Sequence, residues 1–213
     1  MSAVAGRRSP AVQRALLHPL AKPVLWALCL APLAWLVFAA FTDRLGANPA
    51  EALVRGSGDW TLRLLCATLA VTPLRQLTGW HALARFRRAL GLFTFGWGLL
   101  HFLATAWLDF GFDWPAVVAD IAKRPFILAG SAALLLMLPL AATSFNAAIR
   151  RLGARRWQAL HRLVYASAGL ALLHFFWMRA GKNNFGEPLV YLAVIGVLLG
   201  WRIVRARRSP RRA

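Results

Sequence analysis

Residues 89–108 read ALGLFTFGWGLLHFLATAWL, an unbroken apolar run without an acid, a lysine or an arginine. A bilayer core about 30 Å thick is crossed by roughly 20 apolar residues in a helix. The run therefore has spanning length, and it carries a single ionisable side chain, His101. Five further apolar runs flank it, from Val24 to Phe41, Trp60 to Leu77, Phe126 to Ala142, Trp157 to Met178 and Leu189 to Val204. The last holds Arg202 near its end, where a long stem can snorkel to the interface beside Trp201. A hydrophobic share of 59% and a mean hydropathy of +0.54 exceed what soluble domains carry. The predicted fold class is an all-α integral membrane protein, a six-helix transmembrane bundle.

The first run follows Arg7, Arg8, Arg14 and Lys22, in the manner of a secretory signal. A signal core is typically about 7–15 residues and ends at a small-residue cleavage site. Here the run is longer and leads into Phe41-Thr42-Asp43, so it reads as a retained first span. Six spans put both termini on one side. The N-terminal arm, the 75–88 loop, the 150–162 loop and the tail from Arg202 then hold 19 of the 26 basic residues, and all seven acids fall in the three opposite loops. By the positive-inside rule the basic side is cytoplasmic and both termini lie there. The expected organisation is a cytoplasmic arm at 1–23, one bundle at 24–204 and a basic tail at 205–213. Topology and attraction to anionic lipid account for the net charge of +19, so no nucleic-acid partner is expected. Gly96-Trp97-Gly98 reads as small-residue packing between helices rather than as a nucleotide loop.

Cys29 and Cys66 lie within apolar runs at no metal-binding or redox spacing, which leaves no support for a disulfide, a zinc site or an iron–sulfur cluster. Histidine is more informative. His18 and His81 fall outside the runs, whereas His101, His161 and His174 lie inside them, where ionisable side chains are rare and face a partner in the bundle. A lone intramembrane histidine reads most plainly as a hydrogen-bonding residue between helices. Three, without an intramembrane acid to form a proton relay, point instead to a metal, and two imidazoles on facing helices suit a six-coordinate b-type haem.

Depth selects the pair. At about 1.5 Å rise per residue, His101 lies roughly 12 Å inward from Asp109 and His174 roughly 7 Å inward from Arg179, whereas His161 lies about 20 Å from His174 along the axis. His101 and His174 are the expected outer pair. His161 is assigned to a cytoplasmic-side haem or cofactor site with a non-histidine or solvent-derived opposite ligand. A straight helix turns His161 and His174 roughly 140° apart, and the small residues Ser167, Ala168 and Gly169 between them are where it could bend.

The stretches LAVTPLRQLTG, RFRRALGLFTFGWGLLHF, DIAKRPFILAG, RRLGARRWQALHRLVY, LLHFFW and EPLVYLAVIGVLLGWR together resemble the MsrQ family. Its members are haem-binding membrane subunits of a bacterial periplasmic methionine-sulfoxide reductase system, related to ferric-reductase transmembrane domains. The family's histidine on the third span maps to His101 and its pair on the fifth to His161 and His174. A second histidine on the third span, found in ferric-reductase relatives, is missing here. The resemblance implies passage of electrons from membrane quinol, through one or two b haems, to an exported MsrP-like molybdenum-cofactor reductase. It makes the chain an electron-transfer subunit of the bacterial inner membrane rather than the chain that reduces methionine sulfoxide. It also implies FMN, for whose phosphate Arg87 and Arg88 at the start of the third span are the expected holders. Helix-start N–H groups and guanidinium forks suit phosphate, although adjacent arginines at that place are also what topology demands.

Three other readings share parts of this pattern, one of them a purely structural membrane subunit, which would purify colourless. A ferric or other metal-ion reductase would use the same haem path and donate to a small ion. A transporter would need broken or repeated spans around a polar pathway, and none is visible.

Overall fold

The computed structural model describes residues 10–181 and 183–208. The start of the basic arm with Arg7 and Arg8, Lys182, and residues 209–213 of the tail lie outside them. Among the described residues the chain forms α1 (Pro10–Leu17), α2 (Ala21–Phe41), α3 (Pro49–Thr78), a 3-10 turn (His81–Phe86), α4 (Arg87–Leu108), α5 (Trp114–Lys123), α6 (Pro125–Ala142), α7 (Asn146–Leu160), α8 (Leu163–Ala180) and α9 (Gly186–Arg208), with no strand.

Local chemistry sets the ends of these helices. The Asn48 side chain accepts from Glu51 N–H at 3.1 Å and Pro49 opens α3, while Gly79 at φ 72° closes it. Asp113 caps α5 by accepting from Ala116 N–H at 3.1 Å.

Five segments are long and apolar enough to cross a membrane: α2, the 3-10 turn continued by α4, α6, α8 and α9. Their outward faces stay apolar, with Leu28, Leu135 and Val197 each more than 60% exposed. A continuous surface of this kind suits lipid and not water. With 30 residues, α3 is the longest helix, but Glu51, Arg55, Asp59 and Arg63 alternate in sign at every fourth position of its first half. Arg55 pairs with Glu51 there. That charged stripe is why length alone does not class α3 with the other five.

α3 packs along α4, and α6 packs along α8; α4 meets α6, and α9 lies against both α3 and α8. One buried cluster joins Cys29, Leu64, Val71, Phe86, Leu90 and Trp97 across α2, α3, the 3-10 turn and α4. Another joins Leu62, Leu65, Leu69, Ala168, Phe175 and Ile195 across α3, α8 and α9. Gly98 serves the close packing read from the sequence, since a Cβ there would meet Leu134 at 3.3 Å and Thr61 at 3.4 Å; Gly96 has open space.

The apolar run from Trp157 to Met178 is not one helix. α7 stops at Leu160 and α8 begins at Leu163, so His161 sits at the junction. Arg150, Arg151, Arg155 and Arg156 make α7 polar, and the chain turns where polar sequence gives way to apolar. The small residues at which a bend was expected lie inside continuous helix, where Ser167 Oγ donates to the Ala133 carbonyl at 2.9 Å.

Pro73 lies within α3 and cannot donate to the Leu69 carbonyl one turn before it. Arg202 of α9 takes that place. One of its terminal nitrogens donates to the Leu69 carbonyl at 2.7 Å and the other to the Tyr165 hydroxyl at 2.5 Å.

Candidate functional site

His101 projects from α4 toward α3, where its Nδ1 lies 2.9 Å from the Val54 carbonyl oxygen. A carbonyl oxygen only accepts, so Nδ1 carries the hydrogen. Ser57 Oγ, which donates to the same carbonyl at 2.8 Å, stands 3.4 Å from that nitrogen. His174 repeats the arrangement in the other helix pair. From α8 its Nδ1 donates to the Phe126 carbonyl of α6 at 2.6 Å.

Both rings approach the neighbouring backbone where it has no side chain. A Cβ on Gly58 would lie 3.2 Å from His101 Nδ1, and one on Gly130 would lie 2.8 Å from His174 Nδ1. Glycine at these two positions is what lets each imidazole reach the carbonyl one turn earlier.

With Nδ1 committed on both rings, the nitrogen left available as a ligand is Nε2, for which neither ring has a hydrogen-bond partner among the described residues. The ring centroids are 6.1 Å apart and the planes stand at 70°. Two imidazoles on opposite faces of one metal, each bonded at about 2 Å through nitrogen, have ring centres about 6 Å apart. Among the described residues no three His, Cys, Asp or Glu side chains gather to hold a bare metal ion. Two imidazoles alone suit a metal whose other four positions are filled by a macrocycle, so the residues present fit the expected haem.

His161 stands apart from this pair. At the α7–α8 junction its Nε2 is 3.2 Å from Thr143 Oγ1, and its ring stacks on Trp157 at 3.9 Å. Trp157 Nε1 in turn donates to the Thr143 carbonyl at 2.9 Å. Burial lowers the pKa of the His161 imidazole, which favours its neutral form.

Arg87 and Arg88 diverge although adjacent. Arg87 donates to Thr72 Oγ1 of α3, and Arg88 donates to Asn146 Oδ1 of α7 at 2.8 Å. Thr72 and Leu69 are one turn apart on α3, so Arg87 and Arg202 reach neighbouring positions on one face.

Sequence reasoning missed Val54, Ser57, Gly58, Phe126 and Gly130. Carbonyl acceptors leave no mark in a sequence, because every residue has one. The glycines did leave a signal: Ser57-Gly58 and Gly130-Ser131 are paired small residues at the ends of spans that carry no histidine.

Residues 57–172 match the family model described as ferric reductase like transmembrane component. The chain is 62% identical over 200 residues to the protein-methionine-sulfoxide reductase heme-binding subunit MsrQ of Polaromonas naphthalenivorans, covering 92% of this chain and 91% of that protein. It is 56% identical to the protein of the same name from Ralstonia nicotianae, covering 87% and 86%, and 47% identical to that of Herminiimonas arsenicoxydans, covering 91% and 90%. No solved structure matches the chain.

Proposed function

Because the chain belongs to the MsrQ family of heme-binding subunits, we propose that it is a b-type cytochrome of the bacterial inner membrane, serving a methionine-sulfoxide reductase. The observation that carries this reading is the paired geometry of His101 and His174. Two rings on separate helix pairs each donate Nδ1–H to a backbone carbonyl and leave Nε2 free, with their centroids 6.1 Å apart.

Haem at this place would supply reversible one-electron chemistry. The chain's part is to fix both tautomers through Val54 and Phe126, to hold the rings apart, and to surround them with apolar helices that exclude water. Electrons enter from membrane quinol and leave toward an exported MsrP-like molybdenum-cofactor reductase. This chain carries them and does not itself reduce methionine sulfoxide. In this reading α3 is the sixth span despite its charged stripe, and both termini are cytoplasmic. The support is the alternating sign of that stripe, which lets the charges neutralise one another, and the placement of all seven acids in the sequence segments 43–59, 109–120 and 187, which six spans bring to one end.

His161 belongs in this proposal to a second cofactor site at the basic end, opposite a non-histidine or solvent-derived ligand. Arg87 and Arg88 are assigned to the phosphate of FMN there, with Arg202 close to Arg87 adding to a cationic end that has no acid.

The deciding experiment is a reduced-minus-oxidised optical spectrum of the purified protein beside His101→Ala and His174→Ala. A low-spin b-type spectrum is expected, with most of the haem lost in either variant. Wild-type haem content and an unchanged spectrum in both variants would defeat the assignment. A metal-ion reductase would share the spectrum but oxidise its haem with a ferric chelate as fast as with the partner enzyme.

A further inference from the structure

From Cys29 onward α2 is seated on its neighbours. Trp97 Nε1 donates to the Cys29 carbonyl at 3.1 Å, and a Cβ on Gly56 would meet Leu36 at 3.0 Å. Nearer its start α2 stands off from α3, and a cavity of about 1110 Å³ lies between them, with Leu28 on one wall and Ala67 and Ala70 on the other. α1 and the 3-10 turn complete its lining at the basic end, where one terminal nitrogen of Arg85 ties them by donating to the Leu16 carbonyl at 3.0 Å. Leu20 and Val24, also in the lining, are 61% and 54% exposed, so the cavity is open along α2.

Arg14 and His18 supply the polar side chains of the lining, and every other lining residue is apolar. Beside it stand Lys22, next to Ala21, and Arg85, next to Phe86, while the segments 11–28, 67–74 and 83–90 that form it contain no acid. Arg14, His18 and Lys22 are exposed. The His18 Nδ1 accepts from Leu20 N–H at 3.2 Å, which puts the hydrogen of a neutral ring on Nε2 as a donor. A guanidinium has five N–H donors, and the bond to Leu16 engages one of those on Arg85. From Ala21 to Leu28 the apolar wall runs about 10 Å away from this cationic rim. Its volume is at or above the roughly 300–1,000 Å³ of small-ligand sites. A deep apolar space beneath a cationic rim is the complement of an amphiphile whose head is an anion.

We propose that this cavity binds one anionic phospholipid, with an acyl chain between α2 and α3 and its phosphate at the rim formed by Arg14, His18, Lys22 and Arg85. Charge decides the class of lipid. A zwitterionic headgroup brings its own ammonium to four basic side chains with no acid among them, whereas an anionic headgroup brings only negative charge. The chain fills the gap that α2 leaves against α3, and the headgroup bridges α1, α2 and the 3-10 turn, which meet at that rim. The inference does not depend on the haem reading.

The test presents the full chain in detergent with equimolar phosphatidylglycerol and phosphatidylcholine and counts the lipids retained by native mass spectrometry. Ala70→Phe and Ala67→Leu fill the cavity and leave every charge in place, whereas Arg14→Gln/Lys22→Gln lowers the charge and leaves the cavity. Helix content in detergent checks that each variant is folded. Wild type should retain phosphatidylglycerol with a preference of about tenfold over phosphatidylcholine. All three variants should lose most of that preference, Ala67→Leu least because it adds the smaller side chain. An excess of decylubiquinol, a quinol with a short apolar tail, should leave the bound phosphatidylglycerol in place.

Equal retention of the two lipids by wild type overturns the proposal whether or not any variant folds. So does an undiminished preference in Ala70→Phe, or in Ala67→Leu should the larger side chain prevent folding, because the preference would then belong to the basic surface at large and not to the cavity. An unchanged preference in Arg14→Gln/Lys22→Gln shows that these cations do not read the headgroup, and displacement of phosphatidylglycerol by decylubiquinol gives the cavity to a quinol; either result overturns the proposal.

Discussion

At the scale of single residues, the site depends on two absent side chains as much as on two present ones. A Cβ on Gly130 would sit 2.8 Å from His174 Nδ1, closer than packing allows, whereas one on Gly58 would sit 3.2 Å from His101. Gly130→Ala should therefore displace His174, at an overpacking cost of about 1–3 kcal/mol, and convert much of the haem to a high-spin spectrum. Gly58→Ala should do so less, because a few tenths of an ångström relieve it. Optical spectra of the two variants check this order, and an equally low-spin Gly130→Ala would refute it. The histidines themselves were legible in the sequence, since an ionisable side chain inside an apolar run has few bland explanations and depth separates His101 and His174 from His161. Their partners were not legible. Val54 and Phe126 act through backbone oxygen, which side-chain chemistry does not announce.

At the scale of elements, the junction after α7 and the proline inside α3 show two local features that hydropathy alone does not reveal. The run from Trp157 to Met178 looked continuous because Trp157, Ala159 and Leu160 are apolar, but those residues close the arginine-rich helix α7 and the chain turns after Leu160. His161 consequently stands at a corner, fixed by Thr143 and Trp157. His161→Ala should lower haem stoichiometry while leaving the low-spin signal of the His101–His174 pair in place; unchanged stoichiometry and cofactor content would remove it from the ligand set. In α3 the Leu69 carbonyl, orphaned by Pro73, is answered from another helix by Arg202. Arg202→Ala leaves that carbonyl unsatisfied at a cost of about 1–3 kcal/mol. Pro73→Ala restores the local donor, so the double variant Pro73→Ala/Arg202→Ala should unfold in detergent at a higher temperature than Arg202→Ala, with a coupling of about 1 kcal/mol or more. Strict additivity of the two substitutions would show that Arg202 does not substitute for the missing N–H.

At the scale of the whole molecule, composition and charge distribution settle the class of fold, whereas the count of spans turns on α3, whose alternating charges hide its apolar second half from any composition rule. Alkaline-phosphatase fusions resolve it. Activity is expected for fusions after Phe112 and Asn184, and none after Ser144 or at the C-terminus; the reverse pattern, or an active C-terminal fusion, would reject six spans with cytoplasmic termini. The packing of α3 on α4 and of α6 on α8 has a further consequence, because each imidazole is clamped by its own helix pair and the 70° between the ring planes records how the two pairs are set against each other. Crossed axial imidazoles leave two iron d orbitals nearly equal in energy. The oxidised protein should accordingly show a strongly anisotropic paramagnetic resonance signal with a large gmax rather than the rhombic spectrum of parallel rings, and any slippage between the helix pairs should be visible as a shift of that single line.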